Sequence, residues 1–419
     1  MKIIKSDYFN YNNNKLFCED VSVQQLAEKY GTPLYIYSRN FFKDRYHEFT
    51  NAFSSIDHQI FYAVKSNFNL SVIKTFIDEG SGADVNSEGE LYRALKAGAK
   101  KDKLILTGVG KTAEEIRKGL NLDLLMIKAE SEEEIHLINK IAEEMGVIAR
   151  VAIRVNPDVD AQTHPYISTG LAENKFGVDR ETALKLYSKQ KELKNIIYTG
   201  IDMHIGSQIT TVEPFLEAVR KLSKVFFDVK KFGVELKHFD LGGGIGASYN
   251  DEMVFSVKEY ANELIPELKK LNCKILFEPG RFLTANGGIL VTKVLYNKVN
   301  TGKNFIVVDS AINDILRPSF YKAYHHIQPV EITNNKDITA DIVGPICETG
   351  DFFARSRELS QSESGSYLAM LSAGSYGMVM SSNYNARRRP PEILVDGNNY
   401  KVIRSRETFE HLIYDEIID

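Results

Sequence analysis

The chain is poor in cysteine, in basic charge and in long hydrophobic runs, and each shortage excludes a class of protein. Its three cysteines lie far apart in 419 residues, which suits a reducing compartment and excludes a Cys-x-x-Cys metal site. Adjacent His325 and His326 would point in different directions, so no metal site is expected. A net charge of -4 leaves no basic footprint for nucleic acid. No segment approaches membrane-spanning length, and the first residues lack a signal-peptide core. We therefore expect a cytoplasmic protein that binds neither nucleic acid nor membrane.

The stretch 59–281 alternates short apolar runs with amphipathic segments, and capping-box patterns open three of those segments. Eight repeats of a strand and a helix predict a parallel sheet closed into a (β/α)8 TIM-type barrel. An open, doubly wound sheet is the alternative. The apolar runs are 60–64, 83–85, 103–106, 124–127, 151–155, 198–204, 238–241 and 274–277, and the capping pairs are Ser87 with Glu90, Thr112 with Glu115, and Ser131 with Glu134.

The pattern changes after residue 281, where strand-like runs recur without long helices. The runs 305–309 and 393–395 are two examples, and Asp396-Gly397 is a hairpin signal before the run 400–403. These features predict an all-β module. The first residues contain a strand-like run and a helix-like segment, which we expect to complete that module. The predicted parts are an N-terminal segment 1–33 that joins the β domain, a barrel 34–283, and a C-terminal β domain 284–419.

Lys65 follows the apolar run 60–64, which places a lysine at the end of a buried strand. An ammonium is costly to bury, so such a lysine either reaches water at the strand end or has a chemical task. The chemical alternative is Schiff-base formation, because a partly desolvated lysine attacks carbonyl groups. The residues at the other strand ends decide between these interpretations.

The active site of a (β/α)8 barrel lies at the carboxyl ends of its strands. Four of the predicted ends carry a lysine, a histidine, three consecutive glycines, and a glutamate followed by Pro-Gly-Arg. This concentration favours the Schiff-base interpretation of Lys65. The polar and glycine residues at the predicted ends are Lys65, Asn67, Asp84, Asn86, Ser87, Arg154, Asn156, His204, Gly206, Ser207, Gln208, Asp240, Gly242, Gly243, Gly244, Glu278, Gly280 and Arg281.

The glycine run 242–246 has three interpretations. Gly242, Gly244 and Ala247 have the spacing of a dinucleotide fingerprint, although the run follows the seventh predicted strand. A turn whose backbone N–H groups approach a phosphate fits equally well. A tight turn without a ligand is the third alternative.

Several single residues also have two interpretations. His204 is either a hydrogen-bonded structural residue or a flat ring that stacks on an aromatic cofactor. Glu278 is either an ion-pair partner of Arg281 or part of the site. In the predicted β module, Cys347 lies beside acids in a turn-rich segment, where a lone cysteine is ordinarily buried and inert. Arg317 and nearby tyrosines suit carboxylate or phosphate recognition.

Five short motifs carry a resemblance to one enzyme family. They are Tyr-Ala-Val-Lys-Ser-Asn at 62–67, His-Ile-Gly-Ser at 204–207, Glu-Pro-Gly-Arg at 278–281, Arg317-Pro318 with Tyr321, and Cys347-Glu348 with Asp351. With these motifs the chain resembles the fold-type III, pyridoxal-phosphate-dependent amino-acid decarboxylases over nearly its whole length. The stretch 164–170, followed by Asn-Lys-Phe-Gly at 174–177, is similar to the branch of that family that acts on diaminopimelate.

The resemblance implies a barrel, a C-terminal β domain, and a head-to-tail homodimer whose active sites lie at the interface. The implied cofactor is pyridoxal 5'-phosphate, which would be bound through a Schiff base to Lys65. His204 would stack on its ring, and Glu278 would keep its pyridine nitrogen protonated. Further cofactor-binding residues implied by the resemblance are Ser207, Gly243, Gly244, Gly280, Arg281 and Tyr376.

The resemblance also implies residues that handle the amino-acid substrate. Arg281, Arg317, Tyr321 and Tyr376 would orient it. Cys347 and Glu348 would enter from the partner subunit, Cys347 as the catalytic proton donor and Glu348 as the reader of the distal amino group. A neutral thiol can supply the proton that the α-carbon needs after CO2 leaves.

The implied reaction is decarboxylation of meso-2,6-diaminopimelate to L-lysine and CO2, the last step of lysine biosynthesis. The alternatives are a related decarboxylase of ornithine, arginine, lysine or carboxynorspermidine, or a non-catalytic homologue that binds the cofactor. Alanine racemase has the same barrel type, but Glu278 stands where an arginine would be expected. A dehydrogenase is the weakest alternative, since only the glycine run favours it.

Overall fold

The computed structural model describes residues 2–160, 175–250 and 252–418. The chain divides into two compact units. The barrel unit comprises Lys43–Ala247 and Met253–Leu283, and the β unit comprises Met1–Phe42, Ser248–Glu252 and Thr284–Asp419. Within the described ranges, every helix is too short or too polar to cross a membrane.

The β unit begins with the N-terminal segment of the chain. Its run 15–18 is a strand and its run 23–30 is a helix, as predicted. Ser22 caps that helix, because its side chain accepts a hydrogen bond from the backbone N–H of Gln25. The elements are β1 (Phe9–Asn12), β2 (Lys15–Cys18), β3 (Val21–Ser22), α1 (Val23–Tyr30), β4 (Leu34–Ser38) and α2 (Arg39–Ala52), which continues into the barrel unit.

The barrel unit contains eight parallel strands that close on themselves, so the predicted barrel is confirmed and the open-sheet alternative is wrong. The closure joins the first strand of the barrel to its last. The strands are β5 (His58–Ala63), β6 (Gly82–Val85), β7 (Leu104–Leu106), β8 (Met126–Ala129), β9 (Ala149–Arg154), β10 (Ile196–Asp202), β11 (His238–Asp240) and β12 (Lys274–Phe277). The helices are α3 (Leu70–Asp78), α4 (Glu88–Lys96), α5 (Ala113–Asn121), α6 (Glu132–Met145), α7 (Arg180–Ser188), α8 (Glu213–Lys230), α9 (Val257–Leu268) and α10 (Arg281–Thr284).

Helix caps fix where the chain leaves each strand for the next helix. Thr112 and Glu115 form the complete capping box that the sequence predicts. Ser87 and Ser131 also cap α4 and α6 through their hydroxyl groups. There, however, the third-residue glutamates bind the backbone N–H one residue before the cap. The capping pattern therefore predicts all three helix starts and one of the three complete boxes.

The β unit is completed after the barrel by a nine-stranded sheet. Its main path runs β17-β16-β14-β13-β4-β19-β20, and β18 pairs with β13 and β15. Leu16, Ile36, Ile289 and Ile393 share one buried cluster, so the N-terminal segment completes the β module as expected. The elements are β13 (Gly288–Asn300), β14 (Lys303–Val308), α11 (Arg317–Phe320), β15 (Ile327–Pro329), β16 (Asp337–Val343), β17 (Phe352–Ser360), β18 (Tyr367–Met370), β19 (Glu392–Asp396), β20 (Asn399–Arg404) and α12 (Phe409–Leu412).

The predicted hairpin near the end of the chain is confirmed. β19 and β20 are antiparallel, and Asp396 pairs with Asn399. The loop is therefore Gly397 and Asn398, one residue beyond the signal in the sequence. Gly397 has φ of +63°, a conformation that glycine adopts without steric cost.

Candidate active site

The carboxyl ends of the eight parallel strands meet at one rim of the barrel. The structure places the predicted strand-end residues of the barrel on this rim. Some lie in the last turn of a strand and others just beyond it. They are Lys65 in the 3-10 turn after β5, Asp84 in β6, Arg154 at the end of β9, His204 after β10, Asp240 at the end of β11, and Glu278 after β12.

Lys65 lies at the rim, and its side chain is 39% exposed. Its Nζ is 3.7 Å from Oδ2 of the fully buried Asp84. Asp84 is held in turn by the hydroxyl of Thr107, which donates to Oδ1 at 2.6 Å. The ammonium is thus attracted to one fixed carboxylate while remaining accessible to a ligand at the rim.

A second lysine of the barrel, Lys128 of β8, was not predicted as a site residue, and it is completely buried. Its Nζ lies 2.7 Å from Asp202 Oδ1, 2.7 Å from Asp240 Oδ2 and 2.5 Å from Glu278 Oε1. These three carboxylates lie close enough together to hold a metal ion. The ammonium of Lys128 contacts all three and supplies the cationic charge there.

Mutual repulsion and burial shape the ionisation of this group. Burial opposes the charge on Lys128, but the surrounding carboxylates raise its pKa well above the ordinary lysine value. Burial raises the pKa of Asp240 to about 6, against the opposing effect of Lys128. Burial and the neighbouring acids also raise the pKa of Glu278 well above its usual range. Lys128 is therefore the charge that favours the ionised form of these acids.

His204 presents a neutral ring at the rim. Its Nδ1 accepts a hydrogen bond of 3.2 Å from the backbone N–H of Gly243. Loss of water contact holds the pKa of His204 well below its ordinary value, and the cations Lys65 and Arg154 lower it further. A flat, neutral imidazole suits stacking on an aromatic ring.

The glycine run after β11 is required by close backbone packing. A Cβ atom on Gly243 would lie 2.3 Å from the carbonyl oxygen of Glu278, and one on Gly244 would lie 2.7 Å from that of Gly206. Gly244 also has φ of +116°. The turn therefore needs these glycines whether or not a phosphate binds, and the dinucleotide spacing adds nothing to their explanation.

Ser207 and Arg281 of the barrel unit are joined by hydrogen bonds. The Ser207 hydroxyl accepts hydrogen bonds from Nε and a terminal nitrogen of Arg281, at 3.2 and 3.0 Å. A guanidinium and a hydroxyl at a glycine-rich turn suit a phosphate group. Together with a lysine amine, a neutral ring and a buried carboxylate, this set of groups fits pyridoxal phosphate. The barrel unit brings together Lys65, His204, Ser207, Gly243, Gly244, Glu278, Gly280 and Arg281.

The other predicted site residues, among them Tyr321 and Tyr376, belong to the β unit. Arg317 begins α11 and is buried, with its guanidinium 4.6 Å from the centre of the Tyr249 ring. His325 fixes it further, because His325 Nε2 lies 3.1 Å from a terminal nitrogen of Arg317.

Cys347 and Glu348 lie in a turn organised by Asp351. The carboxylate of Asp351 accepts the backbone N–H of Ile346 at 2.7 Å and that of Ile312 at 2.8 Å. Cys347 is a free, exposed thiol, so it is not the buried cysteine that its apolar neighbours would suggest. A hydrogen bond with Glu348 raises the pKa of Tyr384, a neighbour that the sequence did not single out. The stretch 164–170 and Asn174, which carry part of the family resemblance, lie outside the described residues.

Known proteins match this chain along nearly its full length. A family model described as the pyridoxal-binding domain of pyridoxal-dependent decarboxylases matches residues 39–285. Diaminopimelate decarboxylase of Aquifex aeolicus is 45% identical and covers 99% of each chain. The Haemophilus influenzae enzyme of the same name is 48% identical and covers 97% of this chain and 98% of its own.

A solved structure gives the same result. Diaminopimelate decarboxylase from Helicobacter pylori, complexed with L-lysine, superimposes with a TM-score of 0.90 at 40% identity. The match covers 93% of this chain and 98% of that one. With its closed barrel, its rim lysine and these relatives, the chain belongs to the pyridoxal-dependent decarboxylases, within the diaminopimelate decarboxylase family.

Proposed function

We propose that this chain decarboxylates meso-2,6-diaminopimelate to L-lysine and CO2 with pyridoxal 5'-phosphate. The observation that carries the proposal is the pairing of Lys65 with Asp84 on the same barrel rim as Glu278, in a chain 45% identical to a diaminopimelate decarboxylase. The Helicobacter pylori structure, which is complexed with L-lysine, supports the identity of the product. This carboxy-lyase reaction completes the biosynthesis of lysine.

The residues of the barrel would hold the cofactor by three of its features. Lys65 would bind its carbonyl carbon, Glu278 would face its ring nitrogen, and His204 would cover one ring face. Bound pyridoxal phosphate supplies an electron sink for the pair left behind when a carboxylate departs. Glu278 would favour the protonated ring nitrogen through its negative charge. Ser207, Gly243, Gly244, Gly280, Arg281 and Tyr376 would bind the cofactor, chiefly its phosphate.

The substrate would be oriented by the charged and phenolic groups predicted for it, Arg281, Arg317, Tyr321 and Tyr376. The stacking of Arg317 on Tyr249 supports this role, because a guanidinium with a fixed plane can bind a carboxylate through two hydrogen bonds. Cys347 would donate the proton to the α-carbon, as its exposed thiol allows. Glu348 would bind the distal ammonium of the substrate.

The reaction is tested directly by adding meso-diaminopimelate to the purified protein with pyridoxal phosphate. We expect CO2 and lysine in equal amounts. Release from ornithine, arginine, lysine or carboxynorspermidine instead would reassign the substrate. Failure with every one of these amino acids, in a protein that binds the cofactor, would leave a non-catalytic homologue. The Lys65→Ala variant is the control for CO2 that is released without the enzyme's Schiff-base lysine.

We also propose a homodimer whose subunits share their active sites, with Cys347 and Glu348 acting in the partner's site. Lys65→Ala and Cys347→Ala subunits should each be nearly inactive alone. When both are produced together, random pairing should restore about a quarter of the wild-type activity, because one site in each mixed dimer is intact. A mixture of Lys65→Ala with Glu278→Gln is the matched control and should stay inactive, since both residues belong to the barrel unit. Equal activity in the two mixtures would contradict shared sites.

The cytoplasm is the proposed compartment. All three cysteines of the chain are free thiols, and Cys347 must remain reduced to donate a proton. Fractionation of cells that produce the protein, with enzyme activity measured in each fraction, tests this assignment. Activity confined to an extracytoplasmic fraction would contradict it.

A further inference from the structure

Lys128 is a buried lysine that the proposed mechanism does not use. It lies in β8 with no exposed surface, and its Nζ contacts Asp202, Asp240 and Glu278. Removing a charge of this kind from water is expensive unless it is fully compensated. The sequence supplies three carboxylates for one ammonium, which is more compensation than a structural ion pair needs.

The contact with Glu278 has a consequence for the orientation of that carboxylate. Among the described residues, the only hydrogen bond of the Glu278 side chain joins its Oε1 to Lys128 Nζ. That contact fixes the carboxylate and leaves Oε2 for another partner. The backbone of Glu278 is fixed as well, because its N–H donates to the carbonyl of Gly242 at 2.8 Å. Because Oε1 is held by Lys128, the direction of Oε2 is fixed as well.

The charge of the cluster leads to the same conclusion. Burial favours the protonated form of Glu278 and raises its pKa, and repulsion from Asp240, Asp84 and Asp202 raises that pKa further. The ammonium of Lys128 offsets that repulsion from within the group. The three acids outnumber the one ammonium, so the cluster favours one further cation near Glu278.

We propose that Lys128 is a positioning residue for the cofactor. By holding Oε1 of Glu278, it favours the ionised form of this carboxylate and turns it so that Oε2 would accept a hydrogen bond from the protonated ring nitrogen of pyridoxal phosphate. The inference rests on the proposed function and adds to it a residue that acts through Glu278. The competing explanation is that Lys128 serves only to neutralise Asp202 and Asp240.

A double-mutant cycle on cofactor binding separates these two roles. The dissociation constant for pyridoxal phosphate is measured on the apo protein for the wild type, Lys128→Met, Glu278→Gln and the double variant. The absorbance spectrum of the bound cofactor is the second measurement. We expect Lys128→Met to weaken binding about tenfold, or about 1.4 kcal/mol, and to change the spectrum in the same direction as Glu278→Gln. In the Glu278→Gln background the same change should weaken binding less than about twofold.

Two further variants protect the test against misfolding. Lys128→Met combined with Asp202→Asn removes one cation and one anion, and it is compared with Asp202→Asn alone. The double variant should bind pyridoxal phosphate more weakly than Asp202→Asn alone, by the same factor that Lys128→Met shows in the wild-type background. Lys111→Met is the matched control, because the Lys111 side chain is also buried in the barrel unit but pairs with Glu134 at 2.8 Å. Lys111 contacts Lys128 through the backbone carbonyl of Lys128, at 2.7 Å, so the control also tests the loss of that backbone contact. It should lower the melting temperature and leave the affinity for the cofactor unchanged.

The outcomes distinguish this inference from the proposed function. Equal losses of affinity in both Glu278 backgrounds, or a loss of thermal stability with unchanged affinity and spectrum, would mean that Lys128 is only structural. Either result would overturn the inference while wild-type decarboxylation continued. Absence of cofactor binding by the wild type would overturn the proposed function itself.

Discussion

Two lysines of one barrel have opposite environments. Lys65, beyond the end of β5, is 39% exposed, and its Nζ lies 3.7 Å from the carboxylate of Asp84. Lys128, inside β8, is fully buried and lies within 2.7 Å of three carboxylates. Three close anions favour the proton on Lys128 and restrain its movement, whereas the partial exposure of Lys65 and its longer contact with Asp84 suit the covalent role proposed for it. Burial alone would select Lys128, whereas the proposed function assigns the covalent role to Lys65.

The comparison predicts its largest effect for Lys65→Ala. Turnover should fall at least ~10^3-fold, because loss of a covalently acting residue removes the step that depends on it. The measurement is CO2 release under saturating cofactor. Lys111→Met, which removes a buried lysine from the same unit, is the control and should keep most of the activity.

Chemical labelling then tests which lysine binds the cofactor. Borohydride reduction of the loaded enzyme, followed by peptide mapping, should place the label on the peptide that contains Lys65. A label on the peptide of Lys128 would reverse the comparison, because it would show that three carboxylates do not hold that amine in its charged form.

Asp314, a buried acid of the β unit, can be compared with the buried acids around Lys128. Asp314 is 1% exposed and accepts hydrogen bonds from the Ala311 backbone and from Asn313. Burial raises its pKa to about 7, and Arg387 offsets this only in part. The barrel acids contact the ammonium of Lys128 directly, whereas the cations that lower the pKa of Asp314 are Arg387 and Arg406.

The sign of the pH effect follows from that raised pKa. The folded state favours the protonated form of Asp314. The contribution of this group to the stability of the protein is therefore fully present below the pKa of the unfolded state, and it is lost as the pH rises toward about 7. Between about pH 4 and about pH 7 the loss in unfolding free energy is about 3 kcal/mol. Asp314→Asn should lack this loss, as measured by denaturant unfolding at both pH values. The exposed Asp20→Asn is the control. If the unfolding free energies of the wild type and Asp314→Asn changed equally with pH, the raised pKa of Asp314 would be contradicted.

The sequence predicted the strands of the barrel better than the buried charged cluster around Lys128. Each of the eight apolar runs became a strand, since continuous apolar runs between capped helices are typical of parallel strands buried on both faces. The run 124–127 ended one residue before Lys128, whereas β8 is Met126–Ala129. A lysine between Ile127 and Ala129 was the available signal. The three carboxylates that compensate it come from three other strand regions, and only the closed barrel brings them together.

The capping residues show the same limit at shorter range. Ser131 was predicted as the start of a helix, and its hydroxyl caps α6. The partner side chain, Glu134, instead binds the Glu130 N–H and pairs with Lys111. A cap depends on neighbours in sequence, whereas the same spacing leaves the glutamate two backbone N–H donors, and Glu90 and Glu134 bind a different one from Glu115.

Ser131→Ala gives the smallest expected effect and tests how Lys128 is held in place. The cap follows β8 directly, and its loss should cost about 1 kcal/mol of stability. Affinity for pyridoxal phosphate should change less than about twofold, because the carboxylates rather than the following turn fix the ammonium of Lys128. Ser256→Ala, which removes the corresponding cap of α9, is the matched control. If Ser131→Ala weakened cofactor binding as much as Lys128→Met while Ser256→Ala did not, the turn after β8 would position Lys128, and the contrast between the two lysines would depend on the loop rather than on charge.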